Sequence, residues 1–294
     1  MGEKRVEGLV LKKYSGFYYV QDDEQNIFEC KLRGKLKTPV LSGDRAVIMP
    51  LEADKGILEE LLPRANELYR PRIANVNIVL IVMASGRPAP SLTLLDRLLF
   101  LTFYNNLLPY IIINKCDLEA DPKARMIQDY YPRAGINLIN TSAVMGTGID
   151  HLKQAIKGKI AVLAGPSGVG KSSLLNTLLA NSQVKTQEVS HKIGRGKHTT
   201  RHVELYPLDS GGWVADTPGF SVLDMPDLKS PELDKYFPDF AGHLDDCRFR
   251  NCLHYKEKDC EVKRMVEQGV IADFRYQNYL SMLEELMVNE RCYK

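Results

Sequence analysis

The sequence predicts a multi-domain protein. An N-terminal five-stranded β-barrel of the OB-fold type precedes a central α/β domain built on a phosphate-binding turn, and a C-terminal α-helical segment carries a metal-binding cluster. Three observations predict this. Short segments of alternating apolar residues fill residues 5–62, a glycine-rich turn at Gly165 to Ser172 joins an apolar run to a helix-periodic stretch, and three cysteines and a histidine crowd into residues 247–260. At 294 residues the chain exceeds one small core. The expected domains are residues 1–66, 67–224 and 225–294.

Composition narrows the class. Hydrophobic content of 44% and charged content of 26% are those of an ordinary soluble protein. A formal net charge of +2 is too small for bulk polyanion binding, so a nucleic-acid surface has to be a local patch. No apolar stretch follows Met1-Gly2-Glu3-Lys4-Arg5, which argues against secretion, and the apolar window Leu92 to Ile113 is broken by Asp96, Arg97, Asn105, Asn106 and Pro109. Six cysteines in such a chain suggest thiols or metal ligands in a reducing compartment.

Within the barrel the expected strands are Arg5 to Lys13, Gly16 to Asp22, Asn26 to Arg33, Asp44 to Leu51 and Gly56 to Leu62, punctuated by turns such as Asp54-Lys55-Gly56. Lys31, Arg33, Lys35 and Lys37 alternate with uncharged residues, so an extended segment puts four cations on one face, a candidate RNA contact. Tyr14, Phe17, Tyr18 and Tyr19 offer stacking surfaces nearby. The same residues equally suit a solvated strand edge with its aromatics in the barrel core.

Pro63 to Pro71 reads as a linker. Beyond it strands and helices alternate: strand Asn75 to Met83, helix Ser91 to Asn105, strand Tyr110 to Asn114, helix Pro122 to Tyr130, strand Ile136 to Asn140, helix Ile149 to Lys157, strand Ile160 to Ala164. Alternation of this kind predicts a parallel sheet covered on both faces, with ligands at the carboxyl ends of its strands.

Four loops leave those strand ends. Gly165-Pro166-Ser167-Gly168-Val169-Gly170-Lys171-Ser172, followed by Ser173, has the spelling GxxxxGK[ST], whose backbone N–H groups turn inward around an anion at a helix N-terminus. Lys171 would reach the β- and γ-phosphates and Ser172 would offer a hydroxyl to Mg²⁺. Asn114-Lys115-Cys116-Asp117 follows a strand. A carboxylate at Asp117 can accept from guanine N1–H and the exocyclic amine, while the Lys115 stem lies against the purine. Thr141-Ser142-Ala143 could frame the base through backbone donors. The strand Gly212 to Ala215 stops at Asp216-Thr217-Pro218-Gly219, where Asp216 can hold Mg²⁺ through water and the Gly219 N–H can sense the γ-phosphate. Lys192 to His202 is basic and glycine-rich, and one of its threonines, Thr200 in preference to Thr199, is expected over the Mg²⁺. These signatures indicate GTP. Their order is permuted, because the base-reading loops precede the phosphate loop. Two other readings use the same residues: a P-loop ATPase or kinase, and an RNA-binding assembly module clamped by nucleotide without significant turnover.

Cys247-x4-Cys252-x-His254-x5-Cys260 supplies the ligands of a closed tetrahedral zinc site, with His243 a poorer substitute. Cys30, Cys116 and Cys292 are expected to be free thiols. Helices at Glu261 to Gln268 and Ile271 to Met287 are expected to pack on this knuckle, with Arg248, Arg250, Lys256, Lys263 and Arg264 available for phosphates.

The order NKCD, TSA, GPSGVGKSS, GRGKHTT, DTPGF, between a five-stranded barrel and a Cys-Cys-His-Cys knuckle, closely resembles the ribosome small-subunit-dependent GTPase A family over nearly the whole chain. The resemblance implies a circularly permuted GTPase domain, structural zinc, Mg²⁺ with GTP, and a cytoplasmic enzyme that assists late maturation of the small ribosomal subunit and is stimulated by it. A monomer binding that subunit, its rRNA and GTP or GDP is expected, with no membrane. Phe220 stands where many GTPases carry a water-orienting glutamine, so slow intrinsic hydrolysis is expected. His198 is the candidate to accept from the attacking water, with Arg195 or Arg201 as an alternative source of transition-state charge.

Overall fold

In the computed structural model, residues 5–34, 36, 38–69, 71–180, 203–216 and 224–292 are described, without the side chains of residues 216 and 292. The chain divides into two compact units. One comprises Met1–Leu80, Gly148–Ala164 and Lys171–Ser221; the other comprises Ile81–Thr147, Gly165–Gly170 and Val222–Lys294.

The first unit contains the closed barrel, with β1 (Val6–Tyr14), β2 (Phe17–Asp22), β3 (Ile27–Leu32), β4 (Arg45–Pro50) and β5 (Lys55–Leu61) in the order β1-β2-β3-β5-β4. The β4–β1 ladder closes it, and β3–β5 pairs in parallel. Alternation sends Val10, Val20, Cys30, Ala46, Ile48 and Leu58 inward, as the pattern requires of a small filled barrel. Tyr18 is also inside at 5% exposure, whereas Tyr14 is 58% exposed, so the aromatic cluster divides between core and surface. A register shift at Leu11, between Val10 and Lys12, sets this division. Burial pushes the Cys30 thiol up to about 12, which leaves it an inert core residue.

The expected linker is partly structured, since β6 (Glu67–Tyr69) and β7 (Arg72–Ala74) form a short ribbon. Its three-residue strands fall below any readable period, and Arg64, held by Asp44, ties its approach to the barrel. The next strand, β8 (Ile78–Ala84), is buried along its whole length and gives its first three residues to this unit. There it lies beside β11 (Ile160–Ala164), followed by β13 (Trp213–Asp216) and β12 (Glu204–Pro207). β11 and β13 are parallel, as expected. β12 pairs antiparallel with β13, an edge strand that the alternation did not predict because no crossover helix separates the two. Helices α3 (Ile149–Ala155) and α4 (Lys171–Leu179) complete this unit.

In the second unit β10 (Asn137–Asn140), β9 (Leu108–Asn114) and the remainder of β8 continue as neighbours, β10 and β9 in parallel register. Ser91 caps α1 (Leu92–Tyr104) by accepting from the Leu94 N–H, and Asp121 caps α2 (Pro122–Tyr130) with proline in its first turn. The C-terminal part adds a 3₁₀ turn at Ser230–Tyr236, then α5 (Pro238–Ala241), α6 (Glu261–Glu267) and α7 (Asp273–Cys292). α7 begins two residues later than expected and extends five further.

Helix α7 is fastened to α1 and α5 by a buried charge cluster. Arg275 donates to Asp96 Oδ1 at 2.6 Å and to both Asp239 oxygens at 3.0 and 3.1 Å. Asn278 and Tyr131 donate to the Asp96 carboxylate at 2.6 and 2.5 Å, and Tyr130 donates to Asp239 at 2.7 Å. Burial pushes the Asp96 carboxyl upward against these partners. For Asp239 burial acts in the same sense, but the Arg275 charge and hydrogen bonds outweigh it and hold that carboxyl below its ordinary range. Among the described residues no helix is long and apolar enough to cross a membrane.

Candidate functional site

In the second unit the Asn114 loop and the glycine turn form one hydrogen-bonded block. Asn114 lies at the buried end of β9 and is itself 1% exposed. Its amide donates to the Val169 carbonyl at 2.9 Å, and its Oδ1 accepts from Thr141 Oγ1 at 3.2 Å and the Ala143 N–H at 3.3 Å. Lys115, in the left-handed region at φ 61°, donates from Nζ to the Gly168 carbonyl at 2.7 Å and the Arg87 carbonyl at 2.8 Å. The Cys116 N–H donates to the Thr141 carbonyl at 3.0 Å, and Ser142 Oγ accepts from the Met145 N–H at 3.1 Å. Asp117 projects from this frame, exposed, at the next position.

The glycines of the turn are needed where other groups press closest. A Cβ on Gly165, at φ +126°, would stand 2.2 Å from the Val82 carbonyl oxygen, and one on Gly170, at φ +96°, would stand 2.4 Å from Asn114 Nδ2. Asn114 can therefore reach across to the turn only because position 170 has no side chain. Pro166, Ser167 and Gly168 run along the outside of the turn, and Val169 is buried beneath it.

Thus Asn114, Lys115, Thr141, Ala143, Gly168 and Val169 are joined directly, with Ser142 packed below and Asp117 at the rim. The unit boundary falls between Gly170 and Lys171. In the first unit Lys171, Ser172 and Ser173 form the first turn of α4, with both serines exposed. The pairing of Val162 with Ala215 brings the carboxyl ends of β11 and β13 side by side, with Asp216 the last residue of β13. His198, Thr200 and Gly219 lie outside the described residues, as do Lys35, Lys37, Arg195, Arg201 and Phe220.

Of the basic barrel residues, Lys31 stacks over Phe17 at 5.3 Å and Arg33 is ion-paired to Glu59. Two further cations join them: Lys12 Nζ lies 5.1 Å over the Tyr19 ring and Lys13 Nζ 5.4 Å over Tyr18. Sequence reading missed Lys12 and Lys13 because their aromatic partners lie across a hairpin whose register depends on the bulge.

The C-terminal cluster gathers Cys247, Cys252, His254 and Cys260, whose candidate ligand atoms all lie within 4.8 Å of one another. His254 Nδ1 is 3.3 Å from Cys260 Sγ and 3.7 Å from Cys247 Sγ, and the two sulfurs are 4.0 Å apart. A tetrahedron with metal–sulfur bonds of about 2.3 Å and a metal–nitrogen bond of about 2.0 Å has donor separations in this range, so the four residues fit a metal ion. His243 lies outside the cluster. The far ring nitrogen of His254 is 3.3 Å from Asp234, a partner 20 positions away that motif spacing could not reveal. Tyr276 and Tyr279 on α7 donate to the His254 and Leu253 carbonyls at 2.6 and 3.0 Å, and Glu257 accepts from the Leu253 and Tyr255 N–H groups. Burial pushes the Cys260 thiol up to about 12, so a cation binding there would have to displace its proton. Cys30 and Cys116 are free, as expected.

Comparisons with known proteins cover nearly the whole chain. Residues 61–226 match the RsgA GTPase family model and residues 7–58 match that of the RsgA N-terminal domain. A small ribosomal subunit biogenesis GTPase RsgA of Carboxydothermus hydrogenoformans is 48% identical over 290 residues, 97% of this chain and 99% of the relative. The RsgA of Moorella thermoacetica is 45% identical over 291 residues, 98% and 100% of the two chains. Among solved structures, YjeQ from Thermotoga maritima superposes with a TM-score of 0.82 at 38% identity, covering 97% of this chain and 99% of its own. YloQ, described as a circularly permuted GTPase, gives 0.80 at 35% identity, covering 97% and 96%.

Proposed function

The chain belongs to the RsgA GTPase family, and from that premise we propose that it hydrolyses GTP while bound to the small ribosomal subunit, assisting the late maturation of that particle in the cytoplasm. The observation that carries the reading is the fusion of the Asn114 loop with the glycine turn, because it couples a guanine-selective carboxylate to a phosphate cradle. The loops occur in permuted chain order, the base-reading pair ahead of the glycine turn, consistent with the permuted relative.

In this reading Asp117 accepts from the guanine edge, Lys115 covers the purine face, and Thr141, Ser142 and Ala143 frame the base. Gly165 to Ser173 wrap the phosphates, and the Gly219 N–H meets the γ-phosphate. Lys171 neutralises charge on the β- and γ-oxygens as it develops. Ser172, Thr200 and Asp216 would hold Mg²⁺, being hard oxygen donors of the kind it selects, and the ion when bound would supply neutralisation of phosphate charge. His198 takes the proton of the water whose oxygen bonds to the γ-phosphorus. The bond from that phosphorus to the bridging oxygen breaks, and GDP leaves with the electron pair. With Phe220 unable to orient water, turnover is slow until a partner brings His198 into place.

Zinc is the proposed occupant of Cys247, Cys252, His254 and Cys260, a structural role in which its binding energy folds the segment. The outer barrel face with Lys12, Phe17, Tyr19 and Lys31, together with Lys13, Arg33, Lys35 and Lys37, is the proposed rRNA contact. We assign the functional domains to residues 1–66, 67–224 and 225–294 and expect a monomer. The test is phosphate release from GTP and from ATP, with and without isolated small ribosomal subunits. GTP-selective turnover raised by subunits is expected. Absence of release even with saturating subunits would leave a nucleotide-clamped assembly module instead.

A further inference from the structure

Within the first unit the barrel is bonded to β13, which ends at the proposed Mg²⁺ aspartate, and to the start of β12, which lies opposite that aspartate. Three barrel segments take part. On β1, Lys12 Nζ lies 2.8 Å from Glu204 Oε1. In the turn before β4, the Ser42 hydroxyl, in a residue 7% exposed, donates to the Val203 carbonyl at 2.7 Å. On β2, Gln21, also 7% exposed, accepts from Trp213 Nε1 at 2.9 Å. Val203 immediately precedes β12, Glu204 opens it, and Trp213 opens β13.

The register gives these contacts their consequence. β12 and β13 pair antiparallel with Glu204 directly opposite Asp216. The residue gripped by Lys12 is therefore the cross-strand neighbour of Asp216, and the two backbones cannot shift independently while their ladder is intact. Lys12 projects from the bulged part of β1, where it also covers Tyr19, so one ammonium serves both the barrel's aromatic face and the strand. Burial of Ser42 and Gln21 indicates that these bonds face no competition from water, unlike an exposed ion pair.

We propose that Lys12, Gln21 and Ser42 of the barrel are positioning residues for the metal side of the nucleotide site, holding the Val203–Glu204 end of β12 so that Asp216 is set for Mg²⁺. This rests on the assignment of Asp216 above and extends the barrel's role from RNA contact to shaping the hydrolytic site. None of the three belongs to the loops proposed to hold the nucleotide, and each acts through the β12–β13 ladder.

The experiment measures the affinity of the full-length protein for a β,γ-imido analogue of GTP, once with Mg²⁺ and once with EDTA. The proteins are wild type, Glu204→Gln, Ser42→Ala and Asp216→Asn. The ratio of the two affinities isolates the metal's contribution. Glu204→Gln and Ser42→Ala are each expected to lower that ratio roughly three- to tenfold, less than the about 10- to 100-fold typical of a group bonded directly to a metal ligand. Their affinity in EDTA should stay at the wild-type value, which a merely destabilised protein would not achieve. A wild-type ratio in both latch variants overturns the proposal. Asp216→Asn separates the two readings: if it also keeps the wild-type ratio, the metal assignment of Asp216 falls on its own account.

Discussion

Replacing Arg275 by methionine tests how the C-terminal helix is held. The guanidinium is 1% exposed, between carboxylates that are 0% and 5% exposed, and lies 4.2 Å over the Phe237 ring. Methionine fills much of the volume but strands Asp96 and Asp239 in the interior without a counter-ion. Removing one partner of a buried ion pair costs about 3–5 kcal/mol, and at roughly 2–4 °C per kcal/mol for units of this size the melting temperature should fall by about 6–20 °C. Urea titration and thermal melting of Arg275→Met against wild type measure it. Neutralising the stranded groups in Arg275→Met/Asp96→Asn/Asp239→Asn should recover more than half the loss, because the cost lies in uncompensated charge rather than in a missing contact. The pH dependence has a definite sign. The Asp239 carboxyl is held below its ordinary range, so its stabilising share is present above about pH 4 and is lost as pH falls through its lowered folded value. The gap between wild type and Arg275→Met should therefore narrow in acid. A loss below about 1 kcal/mol at neutral pH, or a gap that widens in acid, would refute the charge-pair reasoning.

Three further outcomes follow from the sites. Asp117→Asn should weaken GDP and GTP binding by at least about 100-fold by replacing an acceptor with a donor at the guanine edge, and it should improve binding of xanthosine nucleotides, which calorimetry would compare directly. Gly170→Ala should abolish tight binding of both nucleotides, since its Cβ would meet Asn114 Nδ2 at 2.4 Å; near-normal GDP affinity in a folded protein would contradict the proposed packing. Asp234→Ala should weaken zinc binding about 10- to 100-fold in a chelator competition by freeing the His254 ring, while metal-free protein shows no matching change in nucleotide affinity.

Much of this molecule was legible along the chain because its chemistry is local. Gly165 to Ser173, Asn114 to Asp117 and Cys247 to Cys260 each gather their proposed donors within a few consecutive residues, where spacing alone makes the pattern readable. Strand alternation likewise marked the barrel and the parallel strands, since period two and helical spacing are properties of neighbours. Where two readings competed, as for Tyr14 and Tyr18, a one-residue bulge decided between surface and core, and no composition rule detects it.

By itself, then, the sequence determined the family, the small barrel and the local motifs from which the site is proposed, the glycine turn, the Asn114 loop and the Cys-Cys-His-Cys cluster, because those groups are ordered by covalent proximity. Only the tertiary structure decided which distant side chains meet. Arg275 reaches Asp96 across 179 positions, Trp213 reaches Gln21 across 192, and Glu204 sits opposite Asp216 through strand register. Such pairs depend on how strands align and helices dock, and those choices are set by burial summed over whole elements rather than by any residue's neighbours in the chain.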